Sequence, residues 1–207
     1  MIAIINYGLG NVQAIANIYR QLNVPARLVS SPDELAAADR IILPGVGSFD
    51  WAMRKLAESG MRAALDDAVI RQGRWVLGIC VGMQMMATAS DEGELPGLGW
   101  LDAKVRRMSA PGDRAPLQLP HMGWNDIHVR GESALFDGLE GGSRFYFLHS
   151  YAVEPAHEEA ALATATYGQE FAASVGARNL LGVQFHPEKS HEWGIRLLRN
   201  FAGLTHA

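Results

Sequence analysis

Apolar residues recur in two alternating rhythms along the first eighty positions. Ile2 to Asn6 is a short apolar run, closed by the turn-forming Tyr7-Gly8-Leu9-Gly10. Val12, Ile15, Ile18, Tyr19 and Leu22 then fall three and four apart, which predicts a helix with one apolar face. Ala26 to Ser30 reads as a second strand. Ser31-Pro32-Asp33-Glu34 spells a helix start, with Ser31 as N-cap, Pro32 in the first turn and Glu34 closing a capping box. Arg40 to Leu43 predicts a third strand ended by Pro44-Gly45-Val46-Gly47, residues 49–72 two helical stretches, and Trp75 to Ile79 a fourth strand. Strands separated by helices in this way predict an open parallel α/β sheet.

The second half has a different rhythm. Asp102–Arg107, Trp124–Val129, Arg144–Tyr151, Leu162–Thr166, Phe171–Val175 and Leu180–Phe185 all read as strands, with few helices between them. The expected fold class is therefore α/β: an open, mostly parallel sheet flanked by helices, with antiparallel additions in the second half. Residues 109–121 carry Pro111, Gly112, Pro116 and Pro120 and predict a loop. A last amphipathic helix is expected from Ser190 to Leu204, with Trp193, Leu197, Leu198 and Phe201 inside.

Composition narrows the function classes. The chain has 207 residues, 48% of them hydrophobic and 19% charged, with a net charge of −4. One domain spanning 1–207 fits this length and composition. The basic cluster Lys104, Arg106, Arg107 stands alone, so binding to nucleic-acid phosphates is not the expected business of the chain. No window approaches the roughly 20 apolar residues of a membrane span. The first basic residue is Arg20, so the N-terminus does not read as a signal peptide. A single cysteine, Cys80, rules out an internal disulfide framework. A cytoplasmic location is the expectation.

The candidate chemistry centres on that cysteine. Gly78-Ile79-Cys80-Val81-Gly82 lies where the fourth strand turns into a helix, the pattern of a nucleophile elbow. Glycines two residues either side relieve the crowding of such a turn, and the Val81 N–H would face an incoming carbonyl oxygen. A buried structural cysteine is the other reading of the same residues. A nucleophilic thiol needs a base, because at an ordinary pKa near 8.5 little of it is thiolate at neutral pH. His186-Pro187-Glu188 offers one: Pro187 favours an extended His186, and residues two apart in an extended segment project to one side. Glu188 could then orient the imidazole and stabilise its charged form. Gln84 lies one helical turn beyond Cys80 on the same face. Pro44-Gly45-Val46-Gly47 is either a plain turn or a source of a second oxyanion N–H. Gly8-Leu9-Gly10 lacks the third glycine of a dinucleotide fingerprint, since residue 13 is Gln. His186, Glu188, His191 and Glu192 could be drawn as a metal cluster, but Pro187 disrupts the helical spacing that zinc motifs use.

Taken together, these residues resemble the class I glutamine amidotransferases, whose triad is Cys, His and Glu in this chain order. Gly78-Ile79-Cys80-Val81-Gly82-Met83-Gln84 and Gly182-Val183-Gln184-Phe185-His186-Pro187-Glu188 carry the likeness. Tyr7-Gly8-Leu9-Gly10-Asn11, Pro120-His121-Met122-Gly123-Trp124-Asn125 and the extension Lys189-Ser190 resemble the family of imidazole glycerol phosphate synthase glutaminase subunits. Leu43 to Phe49 and Tyr146 to Tyr151 agree, so the likeness covers residues 5–190. Asn6 departs from it, standing where an aspartate is frequent.

The resemblance implies that Cys80 attacks the side-chain amide of L-glutamine, with His186 as general base and acid and Glu188 orienting it. Val81 and Val46 would supply the backbone oxyanion donors, and Gly47, Gln84, Ser150 and Tyr151 the glutamine pocket. Asn11, Trp124 and Lys189 would face a cyclase subunit with a (β/α)₈ barrel, forming a heterodimer through which ammonia passes. The acceptor would be the phosphoribulosyl-formimino aminoimidazole carboxamide ribonucleotide of histidine synthesis. No metal, organic cofactor, nucleic acid or membrane is implied. Two other readings compete: a stand-alone cysteine hydrolase, against which Gln84 and residues 120–125 speak, and a non-catalytic binding subunit, against which the intact triad speaks.

Overall fold

The computed structural model of the chain describes residues 1–110 and 116–205. Its first half runs β1 (Ile2–Ile5), α1 (Val12–Gln21), β2 (Ala26–Val29), α2 (Pro32–Leu35), β3 (Arg40–Gly45), α3 (Phe49–Glu58), α4 (Arg62–Asp66), β4 (Trp75–Cys80) and α5 (Val81–Met85). A π-helical turn, Asp67–Arg71, extends α4. The second half holds β5 (Ala89–Ser90), β6 (Ala103–Arg107), β7 (His121–Asp126), β8 (His128–Val129), β9 (Arg144–His149), β10 (Tyr151–Pro155), β11 (Ala161–Tyr167), β12 (Gln169–Ala177), β13 (Leu180–Val183) and α6 (His191–Gly203).

The main sheet has eight strands in the order β2-β1-β3-β4-β13-β12-β11-β8. β1 pairs in parallel with β2 and β3, β3 with β4, and β4 with β13. These central strands are apolar nearly throughout because both of their faces are covered. α1 presents Ile15 and Tyr19 to the core, and the Tyr19 hydroxyl donates to the Leu198 carbonyl of α6 at 3.1 Å. α6 buries Leu197, Leu198 and Phe201 in turn. The chain reverses its direction of strand addition between β2 and β3. That leaves a crevice at the carboxyl ends of β1 and β3, the position where open α/β sheets bind ligands.

The parallel half matches the expectation closely apart from one helix cap, and the second half corrects it in three places. Only β12, β11 and β8 extend the main sheet antiparallel. β13 instead lies parallel to β4, with Gly182 opposite Gly78. The strand expected over Arg144–Tyr151 is two strands, broken at Ser150. β9 pairs with β7 in a two-stranded ribbon, while β10 joins β6 and β5 in a separate three-stranded sheet. Strand β7 starts at His121, the last residue of the expected loop; residues 109–110 and 116–120 form no helix or strand, and 111–115 lie outside the described residues. The capping box at Ser31 is also different: Ser31 makes no side-chain cap, and Glu34 Oε2 accepts from the Ser30 N–H at 2.8 Å. Among the described residues no helix is long and apolar enough to cross a membrane.

Candidate active site

Cys80 ends β4 with φ 55° and ψ −115°, a conformation that side chains rarely adopt. Close backbone packing enforces it. A Cβ on Gly82 would lie 1.9 Å from the Leu43 carbonyl oxygen, and one on Gly45 would lie 2.4 Å from the Gly82 nitrogen. β3 and the elbow thus touch backbone to backbone, which only glycine allows at these positions. Met83 and Met86 fill the space beside Gly78 and Gly182 and are fully buried. They are core packing, as a run of methionines on a buried helix should be.

The turn after β1 braces the same region. Tyr7 donates its hydroxyl to the Pro44 carbonyl at 2.6 Å, and a Cβ on Gly10 would meet Pro44 at 2.7 Å. Tyr7-Gly8-Leu9-Gly10 therefore supports the end of β3, which runs through Pro44 and Gly45 and not only to Leu43 as the sequence suggested, and the Val46–Gly47 turn beyond it. Asn6 donates to the Ser30 hydroxyl at 3.1 Å, tying the ends of β1 and β2.

His186 Nδ1 lies 3.0 Å from Glu188 Oε1, with both side chains almost wholly buried. The pair forms over a 3₁₀ turn, Pro187–Lys189, and not in a continuous extended segment as its spacing suggested. Only His186 is extended, so Pro187 redirects the chain and the carboxylate folds back under the ring. Burial pushes the imidazole toward neutrality, but hydrogen bonds and charge from Cys80 and Glu188 outweigh it and raise its pKa to about 10. The ring is thus held as imidazolium beside the sulfur at neutral pH. Ser190, fully buried, fixes the turn: its hydroxyl donates to the His186 carbonyl at 2.6 Å and accepts from the Tyr146 N–H at 3.0 Å.

A cavity of about 340 Å³ opens over the sulfur, lined among others by Cys80, His186, Val46, Gly47, Val81 and Gln84. Ser150, Tyr151 and Lys189 also line it, so nine residues singled out in the sequence share one space. This volume suits an amino acid. Larger grooves of about 590 and 850 Å³ lie elsewhere and contain none of these residues. Glu92, Pro120, Leu148 and His149 line the same cavity and were not singled out as site residues. Glu92 Oε2 accepts from the Phe49 N–H at the start of α3 at 2.8 Å, which sets a carboxylate at the wall. Nothing in the local sequence around Glu92 marks it, since it comes from a short turn after β5. Among the described residues no group of three His, Cys, Asp or Glu side chains converges as metal ligands would.

The β7–β9 ribbon beside the cavity alternates strictly. His121 pairs with His149 and Gly123 with Phe147, facing inward; Met122 pairs with Leu148 and Trp124 with Tyr146, facing outward. Met122 is 66% exposed, and Trp124, Leu148 and Val46 are also exposed. Trp124 stacks on His191 at 5.2 Å, and Lys189 Nζ sits 5.6 Å over the Tyr146 ring. The structure thus joins Trp124 and Lys189 in one patch. Asn11, exposed at the start of α1, shares no hydrogen bond or ring contact with that cluster among the described residues, although α1 packs against the turn that carries Lys189.

The parallel α/β sheet thus carries an elbow cysteine and a carboxylate-held histidine at one cavity. Residues 3–203 match the model of the glutamine amidotransferase class-I family, and the chain belongs to that family. Among its relatives are subunits HisH of imidazole glycerol phosphate synthase. The one from Bdellovibrio bacteriovorus is 55% identical over 99% of this chain and 100% of the relative. The one from Leptospira borgpetersenii is 45% identical over 99% of this chain and 100% of its own length. The crystal structure of a glutamine amidotransferase superposes with a TM-score of 0.74 at 22% identity, covering 98% of this chain and 99% of that one, a likeness of fold.

Proposed function

We propose that the chain is the glutaminase subunit of an imidazole glycerol phosphate synthase, hydrolysing L-glutamine and delivering ammonia for histidine biosynthesis. One observation carries the catalytic assignment: Cys80 on the elbow and His186, backed by the buried Glu188 carboxylate, line one amino-acid-sized cavity. The Cys80 thiolate attacks the carboxamide carbon of glutamine. The tetrahedral oxyanion is held by the N–H groups of Val81 and Val46. The His186 imidazolium gives its proton to the departing nitrogen, the C–N bond breaks, and ammonia and a glutamyl thioester remain. Neutral His186 then takes a proton from water. The hydroxide attacks the thioester, glutamate leaves, and the thiolate and imidazolium are restored.

Glu188 keeps the ring in the tautomer that points Nε2 at the reaction. The Glu92 carboxylate suits the α-ammonium of the substrate, while Gly47, Gln84, Ser150 and Tyr151 complete the pocket. The outward face of the β7–β9 ribbon is apolar and exposed, as a docking surface should be. A cyclase subunit with a (β/α)₈ barrel would cover it, with Asn11, Trp124 and Lys189 at the contact. The ammonia acceptor would bind in that partner. Ammonia released to water would be protonated, and docking avoids that loss. The acceptor nucleotide would yield imidazole glycerol phosphate and aminoimidazole carboxamide ribonucleotide, in the cytoplasm. Substituting Cys80→Ala and assaying glutamine-dependent synthesis in the mixed complex tests the assignment: synthesis driven by glutamine disappears while synthesis driven by added ammonium survives.

A further inference from the structure

The hydrogen bonds behind Cys80 have a direction that can be read from one carbonyl group. The Tyr151 carbonyl only accepts, and it receives His149 Nδ1 at 2.8 Å and Gln84 Nε2 at 3.1 Å. That contact fixes which end of the Gln84 carboxamide is nitrogen. The same nitrogen lies 3.0 Å from Gln184 Oε1. Gln184 is therefore fixed in turn, with its own Nε2 3.7 Å from Cys80 Sγ. Reversing either amide would set nitrogen against nitrogen between the two glutamines or oxygen against the Tyr151 carbonyl.

Gln184 is fully buried, two residues before His186 and just past the end of β13. A carboxamide in such a place is costly unless its polar atoms are bonded. Here its nitrogen is directed at the nucleophile, a contact that the catalytic cycle described above does not use. An N–H donor strengthens as the sulfur gains negative charge, so it favours thiolate over thiol. The Leu148 carbonyl, 3.9 Å from Sγ on the other side, accepts from the thiol and offers the thiolate nothing.

We propose that Gln184 is a further residue of the reaction: its Nε2–H stabilises the Cys80 thiolate, and its Oε1 holds the Gln84 carboxamide in the orientation it presents to the substrate. This rests on Cys80 being the nucleophile. The titratable groups around the sulfur are His186 and Glu188 from the turn after β13, Tyr7 from the turn after β1 and His149 from β9, with Glu92, Tyr151 and Lys189 on the wall of the cavity above it. Burial and the nearby sulfur keep the Tyr7 hydroxyl protonated, and burial holds His149 neutral, its pKa lowered to about 3. Neither changes charge across the range tested below.

The test is the rate of Cys80 alkylation by iodoacetamide from pH 5 to 10, on the full chain. Gln184→Met removes the donor at similar volume and moves the profile up by about one pH unit, slowing alkylation about tenfold on the rising limb below the midpoint. Gln184→Glu moves it at least as far, because a carboxylate oxygen replaces the donor. Ser174→Ala is the structural control: it removes the buried bond from Ser174 to the Gly182 carbonyl, away from the sulfur, and leaves the profile in place. An unchanged profile in either folded Gln184 variant overturns the proposal, as does an equal shift in Ser174→Ala. Should neither Gln184 variant fold, the wild-type protein still decides. Its Gln184 carboxamide ¹⁵N resonance must titrate with the alkylation midpoint, and a pH-independent resonance overturns the proposal. Failure of the nucleophile assignment is separate, since it would show as glutamine hydrolysis surviving in Cys80→Ala.

Discussion

The backbone strain at Cys80 and the charge at His186 are two aspects of one arrangement. A positive-φ cysteine costs on the order of 1–3 kcal/mol, and the glycine contacts at 45, 78 and 82 hold it there. Strain places the sulfur where the imidazolium can reach it. Glu188→Gln keeps the shape but removes the charge behind the ring, so kcat for glutamine hydrolysis falls at least about a hundredfold, while binding of glutamine is little changed. Steady-state kinetics in the mixed complex check this. Glu92→Gln has the opposite signature: KM for glutamine rises about tenfold with kcat nearly constant, because a charged partner of the substrate is lost. The raised pKa of His186 also fixes a sign. The folded chain keeps a proton that the unfolded histidine releases near pH 6.5, so the stabilisation is complete below that pH and is lost as pH rises through about 10. The gap in unfolding free energy between the wild type and His186→Gln should shrink across that window. A gap independent of pH would contradict it.

At the scale of elements, the β7–β9 ribbon is the part most sensitive to acid. His121 Nδ1 lies 3.0 Å from His149 Nε2, and His149 Nδ1 donates to the Tyr151 carbonyl, so both rings are neutral and each keeps its hydrogen on Nδ1. Burial lowers the two pKa values to about 4 and about 3. Here the unfolded state binds the extra protons, so the stabilisation is present above pH 6.5 and is lost as pH falls toward 4. The protection factors of the Met122–Trp124 and Tyr146–Leu148 amides, corrected for the intrinsic slowing of exchange in acid, should fall over that interval, ahead of those in β1 and β3. Uniform protection down to pH 4 would refute this. At the elbow, Gly82→Ala forces a methyl against the Leu43 carbonyl and destabilises the chain by about 3 kcal/mol, measurable by urea unfolding.

Elements also show why the sequence was readable in one half and less so in the other. Each parallel strand of the first half is followed by its own helix, so periodicity alone predicts its partners. β9 and β10 read as one strand because every residue from Arg144 to Tyr151 suits a strand. The change of sheet at Ser150 depends on pairing with β7 and β6, residues distant in the chain. The triad was legible because its turns demand glycine and proline at fixed offsets. Glu92 carries no such local mark, and only the assembled packing brings it and His149 to the cavity wall; Gln184 lies inside the Gly182–Glu188 motif, but its approach to the sulfur depends on Gln84 and Tyr151 from other elements.

On the scale of the whole molecule, the fold presents a buried triad at one end of the sheet beside an apolar, exposed ribbon. Trp124 lies at the centre of that patch, against Tyr146 and His191. Trp124→Ala should weaken association with the cyclase subunit at least tenfold, or uncouple ammonia transfer, with unchanged fold; unaltered affinity and coupled rate would reject that contact. The most direct test of the account is ammonia release from glutamine by the chain mixed with a cyclase subunit and its acceptor nucleotide, with Cys80→Ala in parallel. The account predicts release that requires both Cys80 and the docked partner. Release by Cys80→Ala at the wild-type rate, or none from a wild-type complex shown to have formed, would contradict it.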